Sequence, residues 1–447
     1  MTQKEALTIL KTGANVFLTG EPGSGKTHTI NEYVAYLRSH DVKPAITAST
    51  GIAATHIGGH TLHSFFGLGI RNKFDKYEID RIANIKRIAK RILRTKVLII
   101  DEVSMLTSDV FAAIDAVIRE VLKSFEPFGG IQIILVGDFF QLPPIIKNDY
   151  TEQASLIEEI KSRFIFNSSA WSRLNPVTCY LSEQYRQDDP EFLSVLSAIR
   201  ADKFNKSHLD LLEKRKNNSV SEDIPKLFSH NEDVDRINNE KLLKLSGEPK
   251  MFEMRSVGPE ALVANLKKGC LSPERLVLKI GAAVMFTKNN SKEGFVNGTL
   301  GVVVGFEKGN NFPIIKTKDN REITVLPMEF TIEDAGKALA ALIQMPLRLA
   351  WAITIHKSQG MSLDGAAMDL SKVFEYGAGY VALSRVRRLS GLHLLGWNDR
   401  AAKVNPEILL KDKNLKDNSN EARKVFGGLP DPEITKMHKN FIAFCKK

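Results

Sequence analysis

Residues 20 to 27 read Gly-Glu-Pro-Gly-Ser-Gly-Lys-Thr and fill every position of the pattern G-x-x-x-x-G-K-[S/T]. Residues 15–19 before it form a short apolar run suited to a buried strand. Residues 28–37 after it carry Ile30, Tyr33, Val34 and Leu37 at helical spacing. A glycine-rich turn between a strand and a helix N-terminus aims backbone N–H groups at a polyphosphate. Gly23 and Gly25 permit that turn, and Gly20, Glu21, Pro22, Ser24 and His28 complete the cradle. Lys26 then reaches the β- and γ-phosphates, and the Thr27 hydroxyl is placed to hold Mg²⁺. The chain binds a nucleoside triphosphate.

Hydrolysis requires acidic groups, and the sequence supplies them. Residues 96–100 are an apolar, β-branched run of the kind buried in a parallel sheet, and Asp101-Glu102 follow at its end. Carboxyl ends of parallel strands are where such sheets bind ligands. Asp101 would complete the Mg²⁺ shell with Thr27, and Glu102 would orient or deprotonate the attacking water. Residues 131–136 read as a further strand ending in Gly137-Asp138, and Gln141 beyond it is placed to sense a γ-phosphate.

At 447 residues the chain has room for about three domains. Strand and helix patterns alternate from residue 1 to about 187, the signature of a parallel sheet with crossover helices. Within 65–94 a glycine-rich start turns into a helix. Ile79, Ile82, Ile85, Ile88 and Ile92 make its apolar stripe, and Arg81, Lys86, Arg87, Lys90, Arg91 and Arg94 occupy much of the rest. A polynucleotide-facing surface and a solvated helix face fit that pattern equally. From about residue 260, short strands at 276–286, 301–306, 312–317 and 322–326 alternate with Gly-, Asn- and Asp-rich turns, which predicts a small β-barrel set into a larger domain. The polar stretch 414–420 is expected to be mobile, before a last short helix from Asp431.

No apolar run approaches the ~20 residues that span a bilayer, so no membrane role is expected. Three dispersed cysteines, Cys179, Cys270 and Cys445, argue against a disulfide framework or a zinc site and for a reducing compartment, most simply the cytosol. A net charge of +10 suits a polyanionic partner.

Two later blocks give the pattern a family. Residues 347–361, ending His356-Lys357-Ser358-Gln359-Gly360-Met361, resemble motif V of superfamily 1 helicases, and residues 380–386 (Tyr-Val-Ala-Leu-Ser-Arg-Val) resemble motif VI. The earlier stretches fall into order as motif I (20–27), motif Ia (48–54), motif II (Asp101-Glu102), motif III (137–141) and motif IV (183–187). Together with residues 58–65, Leu142-Pro143-Pro144, 281–285 and 297–299, they resemble the petite-integration-frequency (PIF-one) family, RecD-like helicases of superfamily 1B.

The resemblance implies an α/β fold of two RecA-like P-loop NTPase domains. The first (1–187) would hold a wedge insertion at about 65–78. The second (188–250 and 345–410) would hold the β-barrel at 251–344, and 411–447 would form a C-terminal segment. It implies ATP-dependent, 5′-to-3′ unwinding of DNA with Mg²⁺ as cofactor. An RNA-directed motor would share the plan, and residue classes alone leave that alternative open. Gln3, placed 17 positions before Gly20 (20 − 3), would read adenine. Arg186 and Arg385 would act as transition-state cations supplied on lobe closure, with Gln359 and Gly360 near the nucleotide. Thr50, Gly51, His63, Phe65, Pro143, Pro144, Thr354, His356 and Lys357 would line a single-strand track. Phe65, Phe66 and the loop to residue 72 would be the splitting wedge, although two adjacent Phe residues also suit a buried anchor. Expected partners are single-stranded DNA and duplex junctions, extending to G-quadruplex or RNA–DNA hybrid, with the chain a monomer. A cytoplasmic, nucleoid-associated location is expected, with nuclear or mitochondrial placement left open.

Overall fold

The run after the first helix forms β1 (Val16–Gly20), with all five residues buried. It pairs in parallel with β5 (Gln132–Val136) on one side and β6 (Val177–Leu181) on the other. With β2 (Ala45–Ala48), β3 (His60–Thr61) and β4 (Val97–Asp101), these make one six-stranded parallel sheet in the order β3-β2-β4-β5-β1-β6. The order places β5 between β1 and β4. The carboxyl ends that bear the glycine loop, Gly137-Asp138 and Asp101-Glu102 therefore open on one edge, where α/β sheets bind ligands. This computed structural model describes all residues except 51–52, 55–58, 69–73, 145–163, 217–223, 291, 296, 318, 335–336 and 447.

The sheet belongs to the first of two units, Met1–Arg186 with Asn405–Lys447. The helix Lys26–Ser39 buries Thr29, Ile30, Tyr33, Val34 and Leu37, the three- and four-residue spacing of one face. That face joins Val16, Leu18, Val97, Ile99 and Ile134 in a core that also takes Ile9 and Leu10 of the first helix. Gln132, at the start of β5, fixes that first helix. Its Nε2 donates to Leu10 O (2.9 Å) and Ala14 O (2.8 Å), while its Oε1 accepts from Tyr33 Oη (2.7 Å).

Two expectations change in this unit. The basic stretch is not one helix but two, Lys76–Ala83 and Lys86–Leu93, broken at Asn84-Ile85. The polar tail is also ordered: the helix Pro406–Gly427 runs through 414–420. Ile408, Asp412, Leu415 and Ser419 lie on its buried face at helical spacing. Asp412 accepts from Tyr180 Oη (3.0 Å) and Ser419 Oγ from Tyr180 N (3.0 Å), so this polar face covers the edge strand β6. The segment from Asn405 packs with this unit.

The second unit, Gln187–Val404, holds a four-stranded parallel sheet. Its strands are β7 (Lys226–Phe228), β18 (Ala352–Thr354), β19 (Ala366–Asp369) and β20 (Leu392–Gly396), in the order β18-β7-β19-β20. Between β7 and β18 the chain makes the predicted insertion as three antiparallel sheets. The largest runs β14-β13-β12-β11-β17, from β11 (Ala283–Phe286), β12 (Leu300–Phe306), β13 (Pro313–Thr317), β14 (Glu322–Thr324) and β17 (Leu347–Leu349). The others pair β8 (Lys250–Glu253) with β10 (Arg275–Leu278), and β9 (Arg255–Val257) with the hairpin β15 (Met328–Asp334) and β16 (Lys337–Gln344). Residues 276–286, expected as one strand, are two, turned at Gly281 where φ is +88°. A helix, Glu260–Gly269, precedes them in a stretch for which no element was expected.

Gln132→Leu would leave a buried hydroxyl and two carbonyls without their partner, at about 1–3 kcal/mol for each group that stays unsatisfied. Chemical denaturation should show the variant less stable by at least that amount, with Tyr33→Phe costing less. Equal stability of Gln132→Leu and the unaltered chain would contradict the clamp.

Candidate active site

The glycine loop leaves β1 and enters the helix Lys26–Ser39 through Gly23 and Gly25, at φ +89° and +87°. A Cβ on Gly25 would lie 1.8 Å from Gln3 Nε2, and one on Gly23 would lie 2.5 Å from Arg186 Cβ. Both expected neighbours thus pack against the loop. Gln3 Nε2 donates to Ser24 O (3.3 Å), Tyr185 N to Gly23 O (3.0 Å) and Gln184 Nε2 to the Glu21 carboxylate (3.0 Å). The motif IV segment therefore wraps the phosphate loop from within the same unit. Arg186 is brought to the loop by its own lobe, where it was expected to arrive from the opposite one.

Lys26 Nζ donates to Gly20 O (2.8 Å) and Glu21 O (3.0 Å). Pro22 is buried, and the Ser24 hydroxyl is buried with no hydrogen-bond partner among the described residues. Thr27 and His28 are exposed, with His28 Nδ1 3.9 Å from the Glu32 carboxylate. The left-handed turn, the orphaned hydroxyl, the ammonium resting on loop carbonyls and the open Thr27 hydroxyl fit a bound triphosphate and its metal.

The carboxylates sit at the end of β4. Register pairs Ala48 with Asp101, so the residue after β2 meets motif II. Ser49 N donates to Asp101 O (3.1 Å) and Ser49 Oγ to Glu102 O (2.6 Å). Glu102 adopts φ 52°, ψ 46°, a left-handed backbone costing about 1–3 kcal/mol for such a residue. Its N–H donates to Asp101 Oδ1 (2.8 Å). Loss of hydration pushes the Asp101 carboxyl up to about 6, against the downward pull of that N–H and of the Lys26 ammonium. Ser49 was not among the expected site residues. Its role comes from sheet register, which no local sequence signal reports. Gln141 is buried beside this edge, its N–H donating to the carbonyl of the fully buried Asp138 (3.0 Å).

The expected strand-contact residues of this unit divide. Thr50 is partly exposed, its Oγ1 accepting from Ala53 N (3.2 Å), and His63 lies on the helix Leu62–Phe66 with burial lowering its pKa. Gly51 and residues 69–73 of the wedge loop lie outside the described residues. Phe65 and Phe66 are only 4% and 0% exposed, their rings edge-to-face at 4.9 Å. Arg91 lies over the Phe65 ring at 4.9 Å and donates to Phe65 O (2.7 Å). The rings are an anchor, not a splitting surface, because their faces are already used inside the unit. Pro143 and Pro144 are buried as well and offer no open face.

In the second unit, motif V runs through β17 and β18 and on to Met361. Thr354 is buried and its Oγ1 accepts from Lys357 N (3.3 Å). His356 Nε2 lies 3.9 Å from the Glu375 carboxylate, and burial lowers the histidine pKa. Burial, then the nearby Arg348 charge, lowers that of Lys357. Gln359 is buried, and Gly360 follows at φ +80°. Arg385, expected as a cation offered to nucleotide, is 1% exposed. Its Nε donates to Val381 O (2.8 Å), its Nη2 to Ser384 Oγ (2.8 Å), and its Nη1 to Ser358 O (3.4 Å) and Met361 O (3.3 Å). The guanidinium ties motif VI to motif V, and a finger role requires it to exchange those acceptors.

Comparison with known proteins agrees with this geometry. Residues 3–219 match the PIF1-like helicase family, and residues 262–306 match the DNA helicase Pif1 2B domain. The chain is 38% identical to the ATP-dependent DNA helicase Pif1 of Psychrobacter sp. (strain PRwf-1), over 99% of this chain and 75% of that protein. Bacteroides sp Pif1 in complex with ADP-AlF4 superimposes with a TM-score of 0.78 at 31% identity, covering 94% of this chain and 97% of that one. Bacteroides Pif1 bound to ssDNA gives a TM-score of 0.65 at the same identity and coverage.

Lys26→Ala removes the ammonium without burying anything new. ATP hydrolysis should fall at least ~10²-fold, the order lost with one transition-state donor, while the melting curve is unchanged. Near wild-type turnover by the folded variant would contradict the assignment.

Proposed function

The chain belongs to the PIF1-like helicase family and is an ATP-dependent DNA helicase, and on that premise we propose that it moves 5′ to 3′ along single-stranded DNA and splits duplex ahead of it. The observation that supports this most is the junction of Ser49 with Asp101-Glu102, where the residue leading to Thr50 is hydrogen-bonded to the backbone carbonyls of the two acidic residues.

In this reading ATP lies in the loop 20–27, with Gln3 against the base, and bound Mg²⁺ supplies charge neutralisation at the phosphates. Thr27 and Asp101 hold the metal, Lys26 steadies the β- and γ-phosphates, and Glu102 orients the water and takes its proton. Gln141 senses the γ-phosphate, while Arg186 and Arg385 serve as the transition-state cations; Arg186 already lies against the loop. Gln359 and Gly360 report nucleotide state to the strand. Thr50, Gly51, His63, Thr354, His356 and Lys357 hold its phosphates, which fix position without reading sequence. We read 1–186 as lobe 1A, and 187–250 with 345–404 as lobe 2A carrying insertion 2B.

A track that grips one strand by its phosphates is indifferent to what that strand pairs with, which supports action on G-quadruplexes and RNA–DNA hybrids also. One chain carries all seven motifs, which supports action as a monomer. Three free thiols suit a reducing compartment. Among the described residues, no helix is long and apolar enough to cross a membrane.

Glu102→Gln should keep nucleotide and single-strand affinity while turnover drops about 10²–10⁴-fold, since shape is kept and the proton acceptor is lost. In the unaltered chain, a deoxythymidine oligomer should stimulate ATPase more than a matched RNA. Stronger stimulation by RNA would overturn the DNA reading, and loss of nucleotide affinity in Glu102→Gln would make that residue structural.

A further inference from the structure

We propose that the helix Lys86–Leu93, with Arg94, binds the phosphate backbone of a duplex DNA arm at a surface separate from the single-strand track; this rests on the DNA-helicase reading above. Residues 85–96 contain Lys86, Arg87, Lys90, Arg91, Arg94 and Lys96 and no acid, a large part of the chain's +10 surplus. Lys86, Arg87, Lys90 and Arg94 are all exposed. Among the described residues, none of these four takes part in an ion pair or side-chain hydrogen bond.

Local physics argues against this helix having been shaped for its own stability. Its N-cap is Ile85, with no side-chain cap, and its first turn carries cations and no acid, opposing the helix dipole. Lys86, Lys90 and Arg94 stand four residues apart, so like charges face each other along one side. Lys90 and Arg91 in the last turn suit the dipole, and Ile88, Arg91 and Ile92 are buried. The uncapped, cationic first turn and the like charges four apart, however, have no counter-ion among the described residues, which marks a face where a ligand supplies it. Here the ligand must be a polyanion.

The placement names which one. From residue 86 to 94 the helix advances about 12 Å, the axial span of roughly three steps along one duplex strand. The helix itself has no aromatic side chain on which a free base could stack, which single-strand sites normally provide. Its inward side is fixed to the strand-contact segment. Arg91 donates to Phe65 O (2.7 Å) and Ser64 O (3.4 Å), and a Cβ on Gly67 would lie 2.4 Å from Ile88 Cδ1. The inward side is thus packed onto the helix that carries His63, and the cationic face is turned outward beside it.

The test neutralises the face with Lys86→Gln, Arg87→Gln, Lys90→Gln and Arg94→Gln in one chain. Ile88, Arg91 and Ile92 are kept and repulsion is removed, so its melting temperature should equal or exceed wild type. Affinity against salt is measured for a deoxythymidine single strand and for a duplex bearing that strand as its 5′ tail. The unaltered chain should show a steeper salt slope on the tailed duplex than on the tail alone. The variant should lose about 0.9 of slope per phosphate contact removed, or roughly 2–4 in total, on the tailed duplex only. Its single-strand affinity and single-strand-stimulated ATPase should not change. An unchanged duplex slope would make the face merely solvated, and equal losses on both DNAs would place it in the single-strand track; either overturns the proposal. Absence of DNA-stimulated ATPase in the unaltered chain would instead defeat the helicase reading itself.

Discussion

The register between β2 and β4 is the constraint on which the first unit's chemistry depends. Pairing Ala48 with Asp101 leaves Ser49 no position except against the motif II backbone. Its hydroxyl then holds the carbonyl of Glu102 in a left-handed conformation that glutamate does not favour alone. A one-residue slip would turn every side chain of the strand to the other face and remove that contact. The end of β2 and the backbone of Asp101-Glu102 are therefore one hydrogen-bonded structure, not two neighbouring ones. The Gln132 clamp at the other end of the sheet keeps the first helix, and with it Gln3, against the phosphate loop.

The second unit uses an ion in another way. Arg385 satisfies its donors on carbonyls of motif V, on the Val381 carbonyl and on the Ser384 hydroxyl, so those bonds tie motifs V and VI together. A buried guanidinium is costly unless its donors are paired, and a phosphate is one of few acceptors able to replace several carbonyls at once.

Much of this was legible from residues alone, for identifiable reasons. The phosphate loop, the strand-end carboxylates and the parallel sheet are written in local pattern: glycine at fixed spacing, β-branched runs and alternation. Long-range contacts were not. Ser49 acquires its role from register. Asp412 and Ser419 read as a solvated tail because their partner, Tyr180, lies more than 200 positions away. Phe65 and Phe66 read as a wedge, with an anchor as the alternative, and their burial and the Arg91 contact appear only in the fold. The break between the basic helices falls at Asn84-Ile85, where an isoleucine stripe runs on without interruption in the sequence.

The account's central claim is that ATP turnover drives this chain along one DNA strand in one direction. Strand displacement on two duplexes identical except for a 5′ or a 3′ single-stranded tail, with ATP and Mg²⁺, tests it most directly. The account predicts release of the 5′-tailed strand, with little or none from the 3′-tailed duplex and none without ATP. Preferential release from the 3′-tailed duplex, or ATP hydrolysis with release from neither, would contradict it.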